Sequence, residues 1–298
     1  MITFPNCKIN LGLHVVGKRP DGYHDLETIF LPVMDMCDEL EIVEVESGKW
    51  HPEGELNTLE KEKNAVKKAE SVMVQDGIVL DNAPEDNLCM KAWRLLHEEF
   101  RIPTVSIRLK KNIPFGAGLG GGSSDAAFTL KMLNKIFSLG LDTSALEQRA
   151  AKLGADCAFF IRNCAAYATG IGDQLEPLEW KVAPRRGTEH LEKEKQCSEE
   201  SGKWKVVIEV PEGEHVSTKE AYAGLGERLK VKGERCDLRE CVKRPIEEWR
   251  DLIVNDFEAS VFPTHPAIAA LKDDMYRRGA LYASMTGSGA AVFGIFPK

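Results

Sequence analysis

The chain has 298 residues, of which 43% are hydrophobic, 29% charged and 7% aromatic, as in an ordinary globular protein. This length favours two domains over one. The formal net charge of −8 argues against a nucleic-acid partner, and no apolar run approaches the roughly 18 residues that a membrane-spanning helix needs.

The first residues lack the basic segment and apolar core of a signal peptide, so we expect a cytoplasmic protein. The eight cysteines are scattered singly, and several lie in apolar segments. Cys236 and Cys241 do not have a zinc spacing, and the sequence shows no other metal-ligand cluster. The cysteines are therefore predicted to be buried free thiols.

From the amino terminus, apolar residues alternate with polar ones over 9–13, which predicts a strand. Proline and glycine favour a turn at 19–22, and a second strand is predicted over 40–45. The charged stretch 46–71 has no apolar pattern, so we expect it at the surface.

A typical helix cap, Asp86-Asn87, begins an apolar stripe that runs to Phe100. A half-buried strand over 105–110 follows and leads into the glycine-rich run 116–122. After that run, apolar residues at helical spacing predict a helix up to Phe137.

A further helix is predicted from Ser144, where Glu147 completes a capping box, to Gly154. The apolar run 158–161 predicts a buried strand, and the polar stretch 184–203 predicts an exposed loop. The remaining predicted elements are strands at 206–210 and 290–296 and a helix from Pro266 to Gly279.

The glycine-rich run allows three interpretations. Its glycines fit the G-x-G-x-x-G pattern of a dinucleotide fold, but no return strand with an acidic end follows. A Walker P-loop needs lysine directly after the last glycine, and here Ser123-Ser124 follows. A polyphosphate cradle at a helix N-terminus fits best, and a glycine-rich surface turn is the structural alternative.

Five segments resemble motifs of the GHMP kinases (galactose, homoserine, mevalonate and phosphomevalonate kinases) and occur in the family's order. They are Cys7-Lys8-Ile9-Asn10-Leu11-Gly12-Leu13, Lys18-Arg19-Pro20-Asp21-Gly22-Tyr23-His24-Asp25-Leu26, Pro114-Phe115-Gly116-Ala117-Gly118-Leu119-Gly120-Gly121-Gly122-Ser123-Ser124-Asp125-Ala126-Ala127, Leu153-Gly154-Ala155-Asp156 and Thr286-Gly287-Ser288-Gly289-Ala290. The triple glycine is similar to one branch, which phosphorylates the 2-hydroxyl of 4-diphosphocytidyl-2-C-methyl-D-erythritol in non-mevalonate isoprenoid synthesis. Cys7 departs from the family's usual alanine.

The resemblance implies a two-domain α+β GHMP kinase fold. An ATP-binding domain, similar to domain 2 of ribosomal protein S5, would cover 1–158, and a ferredoxin-like, substrate-side domain 159–298. The substrate would be a small-molecule cytidylylated polyol, Mg²⁺ would arrive with ATP, and a homodimer is allowed. The ATP-binding residues implied are Pro114, Gly116, Gly118, Leu119, Gly120, Gly121, Gly122, Ser123 and Ser124.

By the same resemblance, Asp156 is the general base that accepts the proton of the substrate hydroxyl, and we hypothesise that Lys8 is its catalytic partner. Taken alone, Asp156 also fits a turn cap, and Lys8 also fits a solvated strand residue. Within a few Å of each other, Lys8 would aim the carboxylate and attract the transferring phosphoryl group.

The resemblance also assigns residues to the substrate. Tyr23 and Tyr222 would flank the cytosine, Asn10 and His24 would bond the base edge and the erythritol side, and Thr218 would lie near the erythritol. Ordinary packing is the structural alternative for each of these residues.

Two rival functions share part of the pattern. Another GHMP kinase, acting on mevalonate, homoserine or a sugar, would keep the glycine run and Asp156 but would not need Gly22-Tyr23-His24. A catalytically silent sensor of ATP and a metabolite would be expected to lose Lys8 or Asp156, and both are present.

Overall fold

The computed structural model describes five segments of the chain, residues 1–45, 71–78, 84–179, 204–225 and 236–298. The predicted surface stretch 46–71, apart from its last residue, and the predicted loop 184–203 lie outside these segments. Within the described segments, no helix has both the length and the apolar character needed to cross a membrane.

The strands of the described residues form three sheets. They are β1 (Ile2–Thr3), β2 (Asn6–Lys18), β3 (His24–Cys37), β4 (Glu39–Glu44), β5 (Val72–Gly77), β6 (Val105–Lys111), β7 (Ala166–Thr169), β8 (Gln174–Pro177), β9 (Trp204–Glu209), β10 (Tyr282–Met285) and β11 (Val292–Pro297). The strand orders are β1-β4-β6-β5, β2-β3-β7-β8 and β10-β11-β9. Strands β5 and β6 run parallel, and the other paired strands run antiparallel.

Helices of very different length accompany these sheets. They are α1 (Leu88–Phe100), α2 (Gly121–Ile136), α3 (Thr143–Ala151), α4 (Cys157–Arg162), α5 (Thr218–Ala223), α6 (Leu238–Cys241), α7 (Trp249–Leu252), α8 (Glu258–Val261) and α9 (Pro266–Arg277). The predicted strands at 9–13, 40–45, 105–110, 206–210 and 290–296 and the predicted helices ending near Phe100, Phe137 and Gly279 are confirmed.

The first hydrophobic core lies where α1 and α2 pack on β4 and β6. Period-two alternation turns one face of each strand inward, and helical spacing does the same for one stripe of each helix. The fully buried side chains include Leu40, Ile42, Ile107, Leu109, Leu96, Leu130 and Leu133. This core therefore fixes the start of α2, which directly follows the glycine-rich run.

Strands β2 and β3 form a long hairpin that carries the motifs of the first 30 residues. Its predicted turn is confirmed: Gly22 has φ of +90°, and its N–H donates to the Arg19 carbonyl at 3.1 Å. Strands β7 and β8 belong to the same sheet, although they follow the predicted domain boundary at residue 158 in the sequence. The proposed domain division at 158 and 159 stays a prediction.

Two helix starts test the capping predictions. The Asn87 carboxamide oxygen accepts from Cys89 N at 2.9 Å, which confirms that cap. The capping box at Ser144 is wrong, because the N-cap of α3 lies two residues earlier: the Asp142 carboxylate accepts from Ala145 N at 2.7 Å. Glu147 instead forms an ion pair with Arg162.

The predicted strand at 158–161 is also wrong, because these residues lie in helix α4. Four consecutive apolar residues fit a buried strand and a buried helix equally well. Here the turn packs against both α2 and α3, so all of its sides are covered: Phe159, Phe160 and Ile161 are 2%, 0% and 5% exposed.

The cysteine prediction holds only in part. Cys7, Cys89 and Cys157 are buried free thiols. Cys236 and Cys241 are joined in a disulfide, so the expectation of free thiols is wrong for this pair. The two residues are five apart and face each other because α6 turns the chain back between them.

Candidate active site

The glycine-rich run forms the loop between β6 and α2. Gly116, Gly118 and Gly120 take φ values of +68°, +78° and +70°, a region that glycine enters at little cost. Gly120 is the N-cap of α2, so the N–H groups of the first helical turn have no partner within the helix. Free N–H groups and the positive end of a helix dipole favour anions, and the anion site at this helix start stays a prediction.

A second glycine loop, Thr286–Gly289, closes against the first. A Cβ atom at Gly118 would lie 2.3 Å from the Thr286 carbonyl oxygen, so only glycine permits this approach. Ala291 N donates to the Ala117 carbonyl at 3.2 Å and strengthens the contact. The structure thereby brings together two glycine motifs that are more than 160 residues apart in the sequence.

Lys8 lies on β2 at the back of this loop and is 3% exposed. Its ammonium group donates to the Asn10 carboxamide oxygen at 2.6 Å and to the Gly118 carbonyl at 3.1 Å. It also lies 3.4 Å from a carboxylate oxygen of Asp156. Lys8 is therefore a buried residue beside the predicted base, and the solvated-strand alternative is wrong.

Asp156 stands at the N-cap of α4, and its side chain is one-third exposed. It makes no side-chain capping bond to the helix, so the turn-cap alternative has no hydrogen bond to support it. The carboxylate thus combines a buried cationic neighbour with an accessible face.

Asn10 is 3% exposed and hydrogen-bonds to several protein groups. Its N–H donates to Thr286 Oγ1 at 2.9 Å, and its side-chain NH₂ donates to Thr28 Oγ1 at 3.1 Å. Its carboxamide oxygen accepts from Lys8 and, at 3.3 Å, from Thr286. In this arrangement Asn10 links Lys8 to the second glycine loop.

Two of the predicted substrate residues form an aromatic stack. The His24 and Tyr222 rings lie 4.5 Å apart with an interplanar angle of 20°. Burial and the nearby Lys18 charge lower the pKa of His24, so its imidazole is neutral at pH 7. Burial raises the pKa of the Tyr222 phenol. The structure does not join Tyr23 to this stack: it is 62% exposed.

Thr218 is the first residue of α5, the helix that also carries Tyr222. Its hydroxyl lies 3.3 Å from the Ser288 hydroxyl, so it meets the second glycine loop. The aromatic stack and the glycine loop therefore lie at the two ends of one short helix.

The serines at the start of α2 differ in environment. Ser124 is completely buried, and its hydroxyl has no hydrogen-bond partner among the described residues. The Ser123 hydroxyl and the Cys157 thiol form a hydrogen bond, and burial raises the pKa of this thiol to about 11. Across the described segments, no group of three or more His, Cys, Asp or Glu side chains is arranged to hold a metal ion.

Sequence reasoning missed a buried ionic cluster beneath the glycine loop. Lys111 forms ion pairs with Asp38 and with Asp125, and these three residues are 3%, 0% and 2% exposed. A signal was present for Lys111, because the inward alternation of Val105, Ile107 and Leu109 continues to it. Asp38 follows the end of a strand and carries no comparable pattern.

Comparisons with known proteins agree with this geometry. The models "GHMP kinases N terminal domain" and "GHMP kinases C terminal" match residues 87–164 and 238–298. A 4-diphosphocytidyl-2-C-methyl-D-erythritol kinase of Bacteroides thetaiotaomicron is 44% identical over 296 residues, which cover 99% of this chain and 92% of that protein.

Solved structures give the same result for the fold. A crystal structure of 4-(cytidine 5'-diphospho)-2C-methyl-D-erythritol kinase has a TM-score of 0.72 and 28% identity, covering 99% of this chain and 89% of that one. The Methanococcus jannaschii mevalonate kinase has a TM-score of 0.64 at 13% identity, covering 99% of this chain and 90% of that one, and shares the fold.

Fold and relatives both define an ATP-dependent kinase that acts on small molecules. The chain belongs to the GHMP kinases, in the branch formed by its 4-diphosphocytidyl-2-C-methyl-D-erythritol kinase relatives. The predicted family, the α+β GHMP kinase fold and the kinase activity are confirmed. The roles of the individual site residues stay predictions.

Proposed function

We propose that the chain transfers the γ-phosphoryl group of ATP to the 2-hydroxyl of 4-diphosphocytidyl-2-C-methyl-D-erythritol, with Asp156 as the general base. Full-length identity of 44% to a relative of that name supports the substrate. The observation that carries the mechanism is the 3.4 Å contact between Lys8 and Asp156 beside the glycine loop.

In this mechanism the glycine loop holds the ATP phosphates. Gly121 and Gly122 are the first two residues of α2, so their N–H groups have no acceptor within the helix and can donate to phosphate oxygens. The acceptor hydroxyl gives its proton to Asp156 while its oxygen attacks the γ-phosphorus, and ADP leaves. Lys8 holds the carboxylate by charge attraction and counters the negative charge on the transferring group.

Recognition of the cytidine is assigned to the stack of His24 and Tyr222. A base stacked on an aromatic ring gains about 1–3 kcal/mol, and the neutral imidazole still offers one donor and one acceptor. Thr218, four residues before Tyr222 on α5, faces the second glycine loop, where the polyol end of the substrate would lie. Tyr23 stays accessible to a bound base.

Mg²⁺ supplies charge neutralisation on the ATP phosphates when it is bound. The site fits this ion, because the partnerless hydroxyl of buried Ser124 is an oxygen donor of the kind that Mg²⁺ takes. Phosphate oxygens and water complete the coordination that Mg²⁺ prefers. Ser123 adds a further hydroxyl at the start of α2.

The proposal also includes a cytoplasmic location and no nucleic-acid partner, and it allows either a monomer or a homodimer. The net charge of −8 supports the second of these. Light scattering behind size-exclusion chromatography measures the oligomeric state directly.

The decisive substrate test is an ADP-release assay with ATP, Mg²⁺ and a panel of alcohols. We expect turnover with 4-diphosphocytidyl-2-C-methyl-D-erythritol and no comparable turnover with mevalonate, homoserine or galactose. Phosphorus NMR of the product would locate the new phosphate on the 2-oxygen. Preferred turnover of any other alcohol in the panel would refute the substrate assignment.

Asp156→Asn tests the base. The amide has nearly the same shape but cannot accept the proton, so kcat is expected to fall about 100- to 10,000-fold. Asp142→Asn is the matched control, because asparagine caps a helix as well as aspartate and this residue lies outside the site. Near-normal kcat in Asp156→Asn would remove this residue from the mechanism.

A further inference from the structure

A buried ionic cluster lies under the glycine loop and is not used in the proposed mechanism. The Lys111 ammonium group donates to Asp38 and, at 2.7 Å, to Asp125. The formal charge of the three side chains together is −1. Burial raises the pKa of Asp125 to about 7, against the opposing effect of Lys111.

The cluster joins both ends of the glycine loop. On the entry side, one Asp38 carboxylate oxygen accepts from Asn112 N at 2.6 Å and from Ile113 N at 2.8 Å. On the exit side, Asp125 belongs to the second turn of α2. Lys111 connects the two carboxylates, so one ammonium group sets the distance between the strand that enters the loop and the helix that leaves it.

Lys111 also approaches the phosphate-facing turn itself. A Cβ atom built at Gly121, the first residue of α2, would lie 3.3 Å from Lys111 Nζ. The backbone of Lys111 is fixed in turn, because its carbonyl accepts from Ile78 N at 3.0 Å. A positive charge is therefore held directly behind the N–H groups of the helix N-terminus.

Stability alone is a poor explanation for such a cluster. Burying three charged groups carries a desolvation penalty that their mutual attraction offsets only with good geometry and complete hydrogen bonding. Here one Asp125 carboxylate oxygen has no partner among the described residues. Apolar side chains of similar volume would fill the same space without that penalty.

We propose that Lys111, held between Asp38 and Asp125, is a positioning residue for the donor nucleotide: it fixes the two ends of the glycine loop and places its charge behind the phosphate-binding N–H groups. The inference rests on the proposed function in that the loop is taken to bind ATP. It does not depend on the identity of the acceptor alcohol.

The test measures equilibrium binding of a non-hydrolysable ATP analogue with Mg²⁺ by calorimetry, without acceptor. Asp125→Asn keeps the ammonium group paired with Asp38 and keeps an amide oxygen as its second acceptor, so affinity stays near that of the unaltered protein. Lys111→Met combined with Asp125→Asn removes the ammonium group without leaving two unpaired carboxylates. We expect this double variant to bind the analogue about tenfold more weakly, within the range for residues that act without touching the ligand.

Leu133→Ala is the matched control for lost stability, because this leucine is fully buried in the same helix and makes no part of the cluster. It should lower the unfolding midpoint and leave nucleotide affinity unchanged. In steady-state assays with an accepted alcohol, the double variant should raise KM for ATP and leave kcat and the acceptor KM within about twofold.

Equal affinity in the double variant and in Asp125→Asn would overturn the proposal. Where the double variant fails to fold, Asp125→Leu decides in its place, since it retains the neutral Lys111–Asp38 pair and loses only the exit-side acceptor. Weaker nucleotide binding in Asp125→Leu than in Asp125→Asn supports the positioning role, and equal binding refutes it. Absence of turnover with the cytidylylated alcohol would refute the substrate assignment and leave the binding result intact.

Discussion

At the scale of single residues, the site depends on side chains that are held by several partners at once. The Lys8 ammonium group has three oxygen partners, two of which, Asn10 and Gly118, belong to the scaffold. Its third partner, Asp156, is the one with an accessible face. These partners hold the flexible Lys8 side chain in one orientation. The mechanism requires this, because the proton acceptor and the phosphoryl group must be aligned with each other.

Tyr222 provides a prediction at this scale. Its ring stacks on His24 and meets Phe257 edge-on at 4.9 Å, so the ring, and not the hydroxyl, is what the neighbours hold. We expect Tyr222→Phe to change the KM of the cytidylylated substrate by less than about threefold. Tyr222→Leu should raise that KM about 5- to 150-fold, the equivalent of losing one base stack.

Steady-state kinetics with both substrates varied check this expectation. The KM for ATP serves as the internal control, because Tyr222 lies on α5 and not on the nucleotide loop. An unchanged acceptor KM in Tyr222→Leu would contradict the stacking assignment and favour plain packing for this residue.

At the scale of elements, the two glycine loops act as one unit. Gly118 combines φ of +78° with an approach to Thr286 that a Cβ atom would block at 2.3 Å. Gly140 has a similar φ of +70° but has nothing within 4 Å of the position of a Cβ. Alanine at either position would strain the backbone, but only alanine at Gly118 would also overlap a neighbouring atom. Comparing the two substitutions therefore distinguishes the effect of backbone strain from that of steric overlap.

Gly118→Ala is expected to lower kcat/KM for ATP at least about 100-fold, because one of the two loops must move by a substantial fraction of an ångström. Gly140→Ala should lower the free energy of unfolding by a similar amount, about 1–2 kcal/mol, and should keep its activity. Thermal unfolding measures the loss of stability that both variants share, and steady-state kinetics measures the loss of kcat/KM for ATP that only Gly118→Ala should show. Equal activities in the two variants would show that the contact between the loops is unimportant.

Elements with one clear pattern could be predicted from the sequence, and elements that depend on tertiary contacts could not. Helix α1 is read from its Asn87 cap and apolar stripe, and β6 from its strict alternation. Helix α4 was missed because its direction of burial is decided by packing against α2 and α3, which local sequence does not encode. The predicted N-cap of α3 lies two residues beyond the observed one, because Asp142 and Ser144 are both good caps.

The same distinction applies to the site. The motifs correctly predict that Lys8 lies close to Asp156, because each motif has a fixed position in the fold of the family. The stack of His24 on Tyr222 does not follow from the motifs, which pair Tyr23 with Tyr222 around the cytosine. The contacts of Asn10 with Thr28 and Thr286 and the cluster around Lys111 join segments far apart in sequence. Pairings of this kind have no periodicity and become visible only in three dimensions.

At the scale of the whole molecule, the site is held together by contacts between the first and last parts of the chain. One hydrophobic cluster contains Ile9 and Leu11 from β2 together with Trp249, Tyr282 and Phe293 from the C-terminal part. Residue 255 makes an isolated parallel bridge with Leu13 at the same junction. Strand β2, which carries Lys8, is therefore packed directly against the C-terminal part of the chain that carries the second glycine loop.

Asn255 is the side chain that ties this junction to the loop. It is 2% exposed, and its NH₂ group donates to the Met285 carbonyl at 2.8 Å and to the Gly287 carbonyl at 2.9 Å. Its carboxamide oxygen accepts from Phe257 N at 3.0 Å. The NH₂ group and the oxygen of the amide are thus both hydrogen-bonded. The orientation of the amide is fixed because one side requires a donor and the other an acceptor.

Asn255→Asp keeps the shape but replaces the donor by a carboxylate oxygen that faces two carbonyl oxygens. We expect the free energy of unfolding at pH 7 to fall by about 3 kcal/mol, because two buried acceptors lose their donor and a charge is buried without a partner. The loss should shrink as the pH is lowered, since the introduced carboxyl has a raised pKa in the fold and regains a donor when protonated. Urea unfolding at pH 7 and pH 5 measures both effects.

The functional consequence follows from the loop contacts. Repulsion at Met285 and Gly287 displaces Thr286, which otherwise holds Asn10 and abuts Gly118, so KM for ATP should rise along with the loss of stability. Asn134→Asp is the matched control, because Asn134 donates to the Leu141 carbonyl at 2.9 Å at the far end of α2. That variant should lose stability without any change in KM for ATP. A raised KM in both variants would mean that ATP binding responds to global stability, whereas a rise in Asn255→Asp alone places the coupling at the junction of the two glycine loops.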